Sequence, residues 1–118
     1  MKNPEEVMDR LSNYSRQLSN KNSEYLEYGT KVAEAEKHYT VLFAQEMLKL
    51  RDDGMPVTIL KDITKGRKSV AEAKFNLAVA EAMYNACRES LKDLRANIDV
   101  GRSFLSWLKS EFETSGNQ

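Results

Sequence analysis

GMPVTILKDITKGRKS, residues 54–69, interrupts an otherwise continuous helical pattern, and its reading decides the fold. Gly54 can take the left-handed conformation that closes a helix, and Pro56 disfavours a helical Met55, so a helix ends here. VTILKDITKG then reads as a short helix: Thr58 can cap it, Ile59, Leu60 and Ile63 share a face, and Gly66 can end it. Its β-branched residues also suit a strand, but no second strand candidate exists to pair with one. Ser69 and Glu72 form an S-x-x-E capping box that opens a further helix. The stretch is therefore a connector, 54–66, between two long helices.

The helix downstream, 69–114, carries the clearest periodic signal. Val70, Ala73, Leu77, Ala80, Tyr84, Cys87, Leu91, Leu94, Ile98, Gly101, Leu105, Leu108 and Phe112 alternate in steps of three and four. A sustained 3.5-residue period describes a coiled-coil seam, with alanines allowing close approach and Gly101 as its weak point. The tail TSGNQ is expected to fray. Upstream, the stripe Val7, Leu11, Tyr14, Leu18, Lys21, Tyr25, Tyr28, Val32, Ala35, Tyr39, Leu42 has the same period, with only Lys21 out of character. After Leu42 it shifts to Phe43, Met47 and Leu50, as at a stutter. Asn3 can cap this first helix, Pro4 suits its first position, and Glu5 and Glu6 oppose the positive end of its dipole. SNKNS, 19–23, resembles a linker in composition, yet Leu18 and Tyr25 stand one heptad apart. The first helix, 4–52, is thus either continuous or kinked across 19–29, where Gly29 costs about 1 kcal/mol relative to Ala.

Two long helices of similar length joined by a short connector predict an all-α fold. It is a long antiparallel, coiled-coil-like helical hairpin forming one domain over 1–118. A fold point near residue 66 places position 38 opposite about residue 94. Phe75, Val79, Met83, Phe104 and Trp107 fall outside the seam and give the second helix a wider apolar face than one partner covers. That excess predicts self-association, with a dimeric four-helix arrangement favoured. A broken first helix folding into a three-helix bundle is the competing arrangement.

Composition narrows the function classes. Lys plus Arg (18) equals Asp plus Glu (18), so net charge offers no argument for a nucleic-acid or membrane partner. The single cysteine leaves no intrachain disulfide and suggests a reducing compartment. No apolar run approaches the ~20 residues of a membrane span, and MKNPEEVMDR has no apolar signal region. A cytoplasmic protein without membrane contact is the expectation.

GRKS, 66–69, differs from a phosphate-binding loop because Arg67 separates glycine from lysine and no strand precedes it. EYLE, 24–27, supplies an E-x-x-E pair without the second carboxylate pair that magnesium needs. His38 and Cys87 are each single, and the expected register keeps them apart. Tyr14, Tyr25, Tyr28 and Tyr39 could stack bases, but they lie in the seam phase, which favours core packing with hydroxyls near the edge. These patterns predict no catalytic group, no metal site and no cofactor. Lys61, Lys65, Arg67 and Lys68 stand against the single acid Asp62, with Lys74 extending the cluster. They are candidate nucleic-acid contacts, set against the plainer reading of a solvated polar turn.

Several runs carry a family resemblance: Gly54-Met55-Pro56, Ile59-Leu60-Lys61-Asp62, Gly66, Val79-Ala80-Glu81-Ala82-Met83-Tyr84 and Leu105-Ser106-Trp107-Leu108-Lys109. Through them, residues 54–112 resemble small helical proteins from the early, replication and recombination regions of bacteriophages and prophages, chiefly of Gram-positive bacteria. The resemblance implies a phage-encoded protein acting in the host cytoplasm near DNA metabolism, and it carries no assigned activity. The combined expectation is a non-enzymatic interaction protein, an accessory of DNA replication or recombination or a modulator of a host protein. Phe75, Val79, Met83, Phe104, Trp107 and Leu108 are the candidate interface with a second copy or with a host or phage protein. Direct nucleic-acid binding through the basic turn is the alternative, and metal-dependent turnover by an unrecognised Glu cluster is a third.

Overall fold

The computed structural model describes residues 3–116, with side chains as far as Thr114. It is all-α: α1 spans Pro4–Asp52, α2 Val57–Gly66 and α3 Lys68–Gly116. α1 and α3 run antiparallel as a long hairpin, and α2 is the helical part of the connector. Asn117 and Gln118, the end of the tail expected to fray, lie outside the described residues, whereas helix continues to Gly116.

Local chemistry sets the ends of α1. The Glu6 amide donates to Asn3 Oδ1 at 2.8 Å, which satisfies one of the free amides of the first turn. At the other end Gly54 adopts φ 91°, the region where a Cβ would be strained. Its amide donates to Arg51 O and the Met55 amide to Leu50 O, both at 3.0 Å, which closes the helix as a Schellman motif. Pro56 then prevents resumption until α2. Across SNKNS α1 continues without a break, so the heptad phase prevails over the polar composition. Ser23 Oγ and Thr30 Oγ1 each donate to a carbonyl four residues back, which satisfies these hydroxyls on the helix itself.

The caps of α2 and α3 differ from those expected. Pro56, not Thr58, occupies the N-cap of α2, and no side-chain hydrogen bond is made there. Gly66 does end α2. One extended residue, Arg67 (φ −60°, ψ 134°), separates it from α3. The Arg67 carbonyl already accepts the Ala71 amide at 2.8 Å, so Arg67 takes the cap position and Ser69 falls inside the first turn.

The chain packs as two compact units, Met1–Tyr25 with Ala86–Gln118, and Leu26–Asn85. In the first, Val7, Cys87, Leu91, Ile98 and Leu108 are buried, and a Cβ added to Gly101 would meet Leu11 Cδ2 at 2.7 Å. Gly101 is thus a point of close approach between α1 and α3, where a side chain would not fit without Leu11 moving, which accounts for a helix-weakening residue in the seam. The buried Cys87 thiol donates to Lys21 O at 3.6 Å. Lys21 lays its stem along the seam and sends its ammonium outward to Glu24 at 3.0 Å, so a charged residue occupies a seam position without burying its charge. Phe112 is 56% exposed, against its expected seam role. In the register set by Leu11 and Gly101, α1 starts at about the level of Leu108, leaving no α1 turn to cover it.

In the second unit Leu50, Leu60, Val70 and Ala73 are buried, and Thr64, fully enclosed, donates its hydroxyl to Leu60 O at 2.7 Å. Gly29 faces the Tyr84 ring. α2 packs back onto the last turns of α1: Leu50 and Met55 share a groove with Ile63 and Gly66. The fold point is therefore Gly54–Pro56, not residue 66. Position 38, beside Tyr39, lies level with Lys74 rather than residue 94. The same packing explains the apparent stutter, because beyond Leu42 the helix α1 must face α2 as well as α3.

Candidate functional site

Two surfaces emerge, one in each unit. In the second unit, α1 presents Tyr39, Thr40 and Phe43 on one side of a groove of about 370 Å³. Lys61 and Lys65 from α2 and Lys74 from α3 line the remainder. Tyr39 and Phe43 are half-buried, one helical turn apart, with ring centroids 5.9 Å apart at 51°. Lys61 and Lys65 are likewise a turn apart on α2. All three lysines are exposed, and none has an ion-pair partner among the described residues.

The four basic residues singled out at the turn do not share one groove. Lys61 and Lys65 face the groove, as does Lys74. Arg67 instead lines a separate groove with Asp62 and Ile63, and its Nε stands 4.0 Å from Glu46 Oε2. Glu46, only 16% exposed, also receives Lys49 at 3.4 Å and ties α1 to the α2–α3 junction. Lys68, at the start of α3, is exposed and lines neither groove. Sequence spacing grouped these residues because they are consecutive; the helix periodicity of α2 and the extended Arg67 divide them. The sequence places Tyr39 and Phe43 in the seam phase and weighs base stacking by Tyr39 apart from the basic cluster; both pack half-buried, and the turn of α2 back along α1 brings the lysines beside them.

In the first unit, Val7, Arg10, Leu11 and Tyr14 of α1 face Asn97, Val100, Gly101 and Phe104 of α3 around a mainly apolar groove of about 410 Å³. Beside the groove, Phe104 and Trp107 stack with centroids 5.9 Å apart at 18°, and Trp107 is 53% exposed. Phe75, Val79 and Met83, at successive four-residue steps in the second unit, are exposed as well. Leu108 is a correction: at 1% exposure it belongs to the core and cannot anchor a partner. It occupies a seam position, and that phase outweighs its adjacency to Trp107.

The remaining constellations have settled places. Glu24 pairs with Lys21 and Glu27 with Lys31 at 3.7 Å, while Glu46–Lys49 and Glu89–Lys92 are pairs three residues apart. Tyr14, Tyr25, Tyr28 and Tyr39 are half-buried in the seam, and Lys31 lies 5.5 Å from the Tyr28 ring centroid. His38 is exposed. Among the described residues no group of three or more His, Cys, Asp or Glu side chains is arranged to hold a metal ion. No helix among them is long and apolar enough to cross a membrane. No protein-family model, curated protein or solved structure matches this chain.

Proposed function

We propose that this protein is a non-enzymatic helical-hairpin interaction protein that works as a homodimer, with Phe104 and Trp107 at the contact. The observation that carries the reading is that α1 and α3 bury their seam against each other, yet a stacked aromatic pair stays exposed beside an apolar groove. A projecting ring and an adjoining hollow on one surface form a self-complementary patch, which a two-fold contact uses twice. Aromatic anchors also contribute disproportionately to interface energy. Phe75, Val79 and Met83 offer a further apolar stripe for a host or phage protein. The resemblance of residues 54–112 to phage early-region proteins supports a setting in the host cytoplasm, as an accessory of DNA replication or recombination or a modulator of a host protein.

Sedimentation equilibrium tests the dimer. The unaltered chain is expected at twice its 13.5 kDa mass, and the Phe104→Glu, Trp107→Glu double variant at 13.5 kDa with its helical circular dichroism retained. A monomeric parent, or a dimer indifferent to both substitutions, contradicts the assignment of that patch. A second reading, direct nucleic-acid contact near the turn, draws support from the three unpaired lysines around the Tyr39–Phe43 groove.

A further inference from the structure

The groove of the second unit joins two features that electrostatics and aromaticity make complementary to one class of ligand. Lys61, Lys65 and Lys74 bring three ammonium groups to a rim whose lining includes no carboxylate. Three like charges without ion-pair partners repel one another, and an anion that neutralises them relieves the repulsion. Lys61 and Lys65 are separated by about 6 Å along the axis of α2, so they can serve successive anionic groups of an extended ligand. Across from them the half-buried Tyr39 and Phe43 rings, inclined at 51° to each other, line the groove together with the exposed hydroxyl-bearing Thr40. A phosphodiester chain with exposed bases has this same alternation of charge and flat apolar surface. In a duplex the bases are stacked inside and cannot reach the rings. An acidic peptide supplies the charge but not the flat faces.

We infer that the groove formed by Tyr39, Thr40 and Phe43 with Lys61, Lys65 and Lys74 binds single-stranded nucleic acid, the lysines taking phosphates and the rings stacking a base. This deepens the second reading above and rests on it. Arg67 and Lys68 contribute little, because Arg67 is directed toward Glu46 and Lys68 lies outside the groove.

Fluorescence anisotropy with a labelled oligothymidylate, using the full chain, is the test. Affinity is expected to fall with salt at a logarithmic slope of about −2, the value for three phosphate contacts on a single strand. Neutralising the groove in the Lys61→Gln, Lys65→Gln, Lys74→Gln variant should weaken binding on the order of tenfold or more at low salt, with helicity unchanged. Arg67→Gln with Lys68→Gln should weaken it much less. Photocrosslinking of an iododeoxyuridine oligomer should label Tyr39 or Phe43. If only the Arg67, Lys68 variant loses binding, the nucleic-acid reading stands and the groove is the wrong site. No binding to the unaltered chain removes both. A duplex or polyglutamate that competes as well as the single strand overturns the proposed ligand class, and labelling away from both rings overturns the stacking role.

Discussion

Leu108→Ala is expected to cost about 2–5 kcal/mol of folding stability, while Trp107→Ala beside it costs about 0.5–1.5 kcal/mol, the scale of its stacking on Phe104. The two positions are neighbours in sequence and opposite in environment, Leu108 at 1% exposure and Trp107 at 53%. Truncating Leu108 removes buried methyl groups and leaves a void where α3 meets the first turns of α1, whose Val7 is also buried. Truncating Trp107 removes a ring already half in water, together with its stacking on Phe104. Urea unfolding followed by circular dichroism separates them, at concentrations low enough that the midpoint no longer depends on concentration. Equal losses at the two positions would mean that the seam phase near the end of α3 is wrong.

Gly54→Val is the second large effect, at about 1–2 kcal/mol for placing a side chain in left-handed backbone, with a β-branched residue the least tolerant. Gly54 must stay near φ 91° for its amide to reach Arg51 O and for the Met55 amide to reach Leu50 O. A substitution that moves φ loses both bonds and misdirects the chain into α2. Gly66→Ala is the matched control. Gly66 does not have positive φ, and nothing lies within 4 Å of an added Cβ, so stability should hold or rise slightly. A tolerant Gly54 with a sensitive Gly66 would put the fold point where the sequence alone suggested it.

That contrast locates what the sequence could and could not disclose. The seam was legible because burial in a helix pair follows a 3.5-residue period: Val70, Cys87, Leu91, Ile98 and Leu108 are all buried as their phase demands. The end of α1 was legible because Gly-x-Pro has few backbone solutions. The register was not. Reading α2 as a short helix but setting the fold point at its end, near residue 66, misplaces the turn, since nothing local shows that a short amphipathic helix packs back along its predecessor. The grouping of the basic residues was illegible for the same reason. Lys61, Lys65, Arg67 and Lys68 looked like one cluster until α2 and the extended Arg67 turned them in different directions. Tyr39 and Phe43 joined the lysines only through tertiary packing. The apolar surface fared better, because Phe75, Val79, Met83, Phe104 and Trp107 stood outside the seam phase and are all exposed. Leu108 failed as an anchor because its seam position was subordinated to the aromatic next to it.

Both proposed surfaces depend on the hairpin closing within one chain in this register, and the lone native thiol makes that testable. Cys87 Sγ lies 3.6 Å from the backbone oxygen of Lys21, so Lys21→Cys places a second thiol within bonding range across the seam. Mild oxidation of that variant should produce an intrachain disulfide, seen as a faster-migrating monomer on non-reducing gels. Gln45→Cys, which a fold point near residue 66 would set against Cys87, should remain reduced. An intrachain bond from position 45 instead, or a 21–87 bond formed only between two chains, would contradict the hairpin described.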